Sequence, residues 1–196
     1  MKRLLFLSLF GLLTVASTVA EATSFTLDFS GLQPNEEVLT YYDGGFGSLG
    51  SGPGPDLGIT FTPSFLVVAA VSPYGSNRVG ELNGPSATMD VSGGFTNFFS
   101  FYYQFSDSSD LVTVWSGLDG TGSILASIPL PPESEWWPAG AKFDGTAMSV
   151  VFSGTPGVQF DPLTNKGFVI PEPSSLLLLG TGALGLGGLI RRKMLL

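Results

Sequence analysis

The chain has 196 residues and a net charge of −8, from 16 acids against 8 lysines and arginines, and it contains neither histidine nor cysteine. Those absences exclude a Ser-His-Asp triad, a histidine general base, a zinc centre with nitrogen or sulfur ligands, a cysteine nucleophile and any disulfide. Between Thr23 and Ile170 three cations (Arg78, Lys142, Lys166) face fourteen acids, a net −11. That balance repels nucleic acid, whose phosphates need a basic footprint, so nucleic acid is not an expected partner.

In chain order, Lys2 and Arg3 precede an apolar stretch from Leu4 to Leu13, and Ala20-Glu21-Ala22 offers a small-x-small cleavage pattern. Residues 1–22 therefore read as a secretory signal peptide, with Thr23 as the mature start. The segment 23–168 reads as one extracytoplasmic domain of common size. Phe25, Leu27 and Phe29 alternate with Thr26 and Asp28, and Ile59 and Phe61 alternate with Thr60 and Thr62, which is the period of half-buried strands.

Between them, residues 43–58 are so rich in glycine that a long surface loop is expected. No Gly-Lys-Ser/Thr follows those glycines, so they form no phosphate cradle. Further strands are expected over 98–105, 111–115, 123–130, 148–152 and 157–160. Ser106 to Asp110 reads as a hairpin turn joining two of them, and Asp119-Gly120-Thr121-Gly122 as the next turn. Helical periodicity is missing and turn residues recur about every ten positions, the spacing of a sandwich or barrel. The expected fold is all-β, an antiparallel β-sandwich of jelly-roll type.

The C-terminal 169–196 has three parts: Pro171-Glu172-Pro173, an apolar run from 174 to 190, and the basic end Arg191-Arg192-Lys193. At ~1.5 Å per residue the run makes about 25 Å of helix, just enough for a transmembrane helix in a bilayer core of ~30 Å. The basic end is the topology signal: it stays on the cytoplasmic side and leaves everything before Pro171 outside.

This arrangement, with Val169-Ile170-Pro171-Glu172-Pro173-Ser174-Ser175 leading into Leu176 to Leu179, resembles the PEP-CTERM family of bacterial exported proteins. The resemblance covers only the tail. It implies that Pro171, Glu172 and Pro173 are a sorting motif read by exosortase, a membrane-embedded cysteine protease or transpeptidase, in a Gram-negative host that secretes exopolysaccharide. The partners implied are exosortase, the inner membrane in transit and exopolysaccharide, and the destination is the cell surface or extracellular matrix. The stretch Gly50 to Pro55 ahead of Gly58-Ile59-Thr60-Phe61 is also similar to segments of other ectodomains in that family, which carries no activity with it.

For the domain itself a non-enzymatic surface or matrix protein is expected. The alternatives are a secreted polysaccharide-active enzyme using a carboxylate pair drawn from Glu81, Glu133, Glu135 or the aspartates, and a permanently anchored structural protein. Trp136 and Trp137, with Tyr41-Tyr42 and Tyr102-Tyr103, supply flat aromatic faces for a carbohydrate, although strand alternation sends one residue of a pair into the core. Calcium is the one cofactor considered, held by Asp107 and Asp110 in one turn or by Asp28 and Asp161 near the two ends of the domain.

Overall fold

A computed structural model describes residues 24–72 and 77–167. The expected signal peptide, the sorting motif, the span and the basic end lie outside the described residues. Eleven strands are formed: β1 (Thr26–Leu27), β2 (Glu36–Glu37), β3 (Ile59–Phe61), β4 (Phe65–Val68), β5 (Val79–Leu82), β6 (Ser86–Gln104), β7 (Leu111–Trp115), β8 (Ile124–Pro129), β9 (Trp137–Ser153), β10 (Gln159–Phe160) and β11 (Leu163–Thr164). The strand pairings are all antiparallel. Among the described residues the one helical element is a 3-10 turn at Leu118–Gly120, and no helix is long and apolar enough to cross a membrane.

The all-β expectation holds, and alternation works locally. Phe25, Leu27 and Phe29 are buried while Thr26 and Asp28 are exposed. Two strands are far longer than the apolar runs suggested: β6 has 19 residues and β9 has 17. They pair from Ser86↔Ser153 to Tyr103↔Trp137 and form the spine of the domain.

That spine cannot be flat. Laid straight, β9 would separate its ends by about 50 Å at ~3.3 Å per residue. One end lies opposite Tyr103 and the other opposite Leu111, yet the chain from Tyr103 to Leu111 reaches at most about 28 Å. The ribbon therefore folds back on itself. Its corner lies where the register shifts between Asp90 and Phe95 and again between Thr96 and Asn97. There Gly94 (φ 66°) and Asn97 (φ 75°) take left-handed conformations, as Gly145 (φ 93°) does on β9.

Two facing layers result. In a flat sheet the order β4-β5-β10-β6-β9 would put β4 about 19 Å from β9, but the rings of Phe65 on β4 and Phe152 on β9 are 5.1 Å apart. Phe152 also meets Phe160 at 4.9 Å, and Phe160 meets Phe101 at 5.5 Å. These aromatic contacts join the layers, and with no disulfide available the packed core holds them together.

The turn at 106–110 does not close a hairpin. β6 and β7 both pair with β9 and lie on opposite sides of it. A polar turn between two apolar runs ordinarily marks neighbours, but β9 offers hydrogen bonds on both edges and takes the place between them. β7 and β8, on either side of the expected Asp119-Gly120-Thr121-Gly122 turn, do pair as a hairpin.

A Cβ at position 94 would sit 2.6 Å from the Thr146 side chain and 3.2 Å from the Ala147 carbonyl, while at position 93 it meets nothing within 4 Å. Gly94→Val is expected to destabilise the domain by about 1–3 kcal/mol, and Gly93→Ala to stay close to wild type, as read from urea midpoints. Equal midpoints for the two variants would remove the corner from Gly94.

Candidate functional site

The two aromatic pairs of tyrosines behave as alternation requires. Tyr42 and Tyr103 are buried and Tyr41 and Tyr102 half-buried. The tryptophan pair departs from that rule: Trp136 is half-buried and Trp137, the first residue of β9, is 54% exposed. Trp137 lies opposite the fully buried Tyr103 at the end of the ribbon, where the sheet runs out and leaves the indole uncovered. The Trp136 indole N–H donates to the Val71 carbonyl at 3.3 Å.

At this rim Phe105, Ser106, Pro132, Glu133 and Ser134 line an open depression of about 440 Å³. Phe105, with φ 59°, breaks β6 and turns its ring out to 53% exposure. The two walls are tied together. The Ser106 and Glu133 N–H groups donate to the Glu133 carbonyl (3.2 Å) and the Ser106 Oγ (3.1 Å), and the Ser106 hydroxyl donates to the Pro131 carbonyl (2.6 Å). Tyr103 donates to the same Pro131 carbonyl at 3.3 Å, and burial, reinforced by the charge of Glu133, pushes its phenol above the usual range. The depression thus offers one exposed ring, Phe105, with an acid and two serines on a fixed backbone, and Trp137 is not among the residues that line it. Phe105 was not singled out from sequence, because its apolar neighbours made it look like one more strand residue.

The glycine-rich segment 43–58 is a loop as expected, and its order comes from a residue outside it. Glu36 is fully buried, and its Oε1 accepts the N–H groups of Leu49 (2.9 Å) and Ser51 (3.0 Å) while Oε2 accepts that of Gln33 (2.8 Å). Burial raises the Glu36 pKa, but the Ser51 hydroxyl and these backbone donors outweigh it, and the net shift is downward. Asp43 and Asp56 close the loop in a β-bridge.

The carboxylates of the Ser106–Asp110 turn hold their own backbone. Asp110 is buried, and its oxygens accept the N–H groups of Asp107 (2.6 Å) and Thr155 (2.7 Å), while Asp107 accepts from Ser108. Glu81 accepts from Gln159 on the neighbouring strand at 2.9 Å, and Glu135 is exposed. Asp90 accepts the Asp119 N–H at 2.8 Å, which fastens the 3-10 turn; burial and the Asp119 charge raise its pKa against that bond. Asp161 is fully buried, and no backbone N–H donates to its carboxylate. Its pKa is pushed up to about 7, first by burial and then by the charge of Asp28, with the nearby Ser72 opposing the rise. Among the described residues no group of three or more His, Cys, Asp or Glu is placed to hold a metal.

Residues 169–193 match the PEP-CTERM protein-sorting motif, so the chain ends in a sorting signal of that class. No curated protein matches the chain. Among solved structures, similarity is found to a family 6 carbohydrate-binding module (TM-score 0.42, 11% identity, 55% of this chain and 87% of that one). It is also found to CsCBM6-3 from Clostridium stercorarium in complex with cellobiose (0.41, 11%, 54% and 85%) and to a CBM29-2 mutant (0.42, 13%, 60% and 91%). Scores and identities this low carry no ligand across to this chain.

Glu36→Gln is expected to cost about 2–4 kcal/mol at pH 7, since buried N–H groups lose their charged acceptor. Because the folded-state pKa of Glu36 is lowered, its contribution is present above the unfolded carboxylate pKa and lost as pH falls through the folded value. Unfolding free energies of wild type and variant should therefore converge toward pH 3; a gap of constant size from pH 7 to 3 would contradict this role.

Proposed function

We propose that this chain is an exported, non-enzymatic surface or matrix protein that exosortase sorts and processes, and that its jelly-roll-type domain binds a glycan. The observation that carries the sorting half is the PEP-CTERM motif at residues 169–193. In this reading residues 1–22 are removed as a signal peptide, and 174–190 halts the chain in the inner membrane. Arg191, Arg192 and Lys193 stay cytoplasmic, and Pro171, Glu172 and Pro173 present the motif.

The glycan half rests on the escape of Trp137 from the alternation that buries Tyr42 and Tyr103. Sugar rings stack their C–H faces on exposed aromatic rings such as Trp137 and Phe105, and Glu133, Ser106 and Ser134 line the depression beside Phe105 to take hydroxyls. The charge of the exported portion, −11 between Thr23 and Ile170, disfavours uronic-acid polymers and favours neutral glycans. Exopolysaccharide of that kind is the proposed partner.

Two measurements test this. Mass spectrometry of the protein recovered from its producing cells should give an N-terminus at Thr23 and a C-terminus near Pro171; an intact Leu196 would mean permanent anchoring. In affinity gels containing neutral polysaccharides the exported portion should be retarded, and Trp137→Ala should weaken retention by at least about tenfold, the loss of one stacking contact of ~1.4 kcal/mol or more, without lowering the melting temperature. Identical migration of wild type and variant on every polysaccharide would dismiss the rim as a glycan site.

A further inference from the structure

One row of side chains crosses the strands on the face of the sheet turned away from the core. Gln104 on β6 is opposite Gln159 on β10, Gln159 is opposite Glu81 on β5, Glu81 is opposite Leu66 on β4, and Leu66 is opposite Glu37 on β2. Directly opposed residues share a face. Their chain neighbours Tyr103, Phe160, Leu82 and Val67 belong to the core, so alternation turns the row outward. Gln104 is 8% exposed, and the other four are half-buried.

The polar members are already joined. Gln104 Nε2 donates to Gln159 Oε1 at 2.8 Å, and Gln159 Nε2 donates to Glu81 Oε2 at 2.9 Å. Those bonds fix three side chains and leave part of each unused, since among the described residues Gln104 Oε1 and Glu81 Oε1 accept nothing and each amide nitrogen keeps a second N–H. A hydroxyl both donates and accepts, so hydroxyls match such a line of groups. Beside the row, Val79 and Asp161 face the same way as Glu81 and Gln159 and have no exposed surface. Ser72 is beside Asp161, and the neighbouring Val71 carbonyl accepts the Trp136 indole N–H, so this segment stands as a step along one side of the row. At its β6 end Gln104 is followed by Phe105, where the row meets the depression.

We propose that this row is a track for an extended, neutral glycan chain laid across the strands and continuing from the depression at Phe105. The proposal rests on the glycan reading above and adds the shape, charge and length of the ligand. Adjacent rungs are ~4.8 Å apart, so the four intervals from Gln104 to Glu37 span about 19 Å, room for about four sugar units. Leu66 gives the C–H face of a sugar an apolar surface within a line of hydroxyl partners, and Glu81 and Glu37 repel polymers that carry carboxylates. Because the lateral bonds hold Gln104, Gln159 and Glu81 before any ligand arrives, little ordering is required on binding.

The test uses the full chain in detergent, run in affinity gels containing a linear neutral glucan, xylan or mannan, with competition by the matching disaccharide and tetrasaccharide. The tetrasaccharide is expected to compete at least about tenfold better than the disaccharide, and Gln159→Ala and Glu81→Ala should each weaken retention by about tenfold while melting as wild type does. Both substitutions lie on the outer face, so a change in retention at an unchanged melting temperature reports on the track and not on the fold. Full retention of both variants, with loss in Trp137→Ala, would overturn the track and leave the glycan reading standing. A wild type that no polysaccharide retards would overturn both.

Discussion

The long antiparallel pairing of β6 with β9, and the corner that folds it, is the constraint on which the domain depends. One edge of β6 carries β3, β11 and β10 in turn, and β9 carries β7 on its far edge. Folding this single ribbon at Gly94 and Asn97 creates both layers at once and brings Phe152 against Phe65. A straight ribbon would leave those rings in water and expose an apolar sheet face. Burial of the phenylalanines therefore drives the bend, and the left-handed residues make it sterically possible.

Without cysteine or histidine, local order is distributed among carboxylates. Glu36 gathers the glycine-rich loop, Asp110 joins the 106–110 turn to Thr155, and Asp90 holds the 118–120 turn. Each replaces a strand's regular ladder with charge-assisted bonds to backbone N–H groups, which suits loops that have no sheet neighbour. Asp161 has the burial of this group but no backbone N–H donor, and burial pushes its pKa up to about 7.

Functionally the molecule separates into a tail that addresses it and a domain that presents a rim. The rim sits where the ribbon ends, so Trp137 and Phe105 project from a rigid edge while the connecting loops are tied by Ser106 and Glu133. On the proposed glycan-binding reading, an edge built this way requires little ordering when a ligand arrives.

The sequence by itself determined the sorting tail, the all-β class and the alternating burial of β1 and β3. Those are local properties: a motif, a lack of helical period, and a side-chain period of two. The tertiary structure alone decided that β9 enters between β6 and β7, that Glu36 is buried under the glycine-rich loop, and that Asp161 is buried without a backbone donor. Strand order and carboxylate environments arise from partners distant along the chain, and nothing in the spacing of neighbouring residues records them. The exposure of Trp137 follows the same logic, because whether an indole is covered depends on where a sheet ends, and long-range packing sets that end.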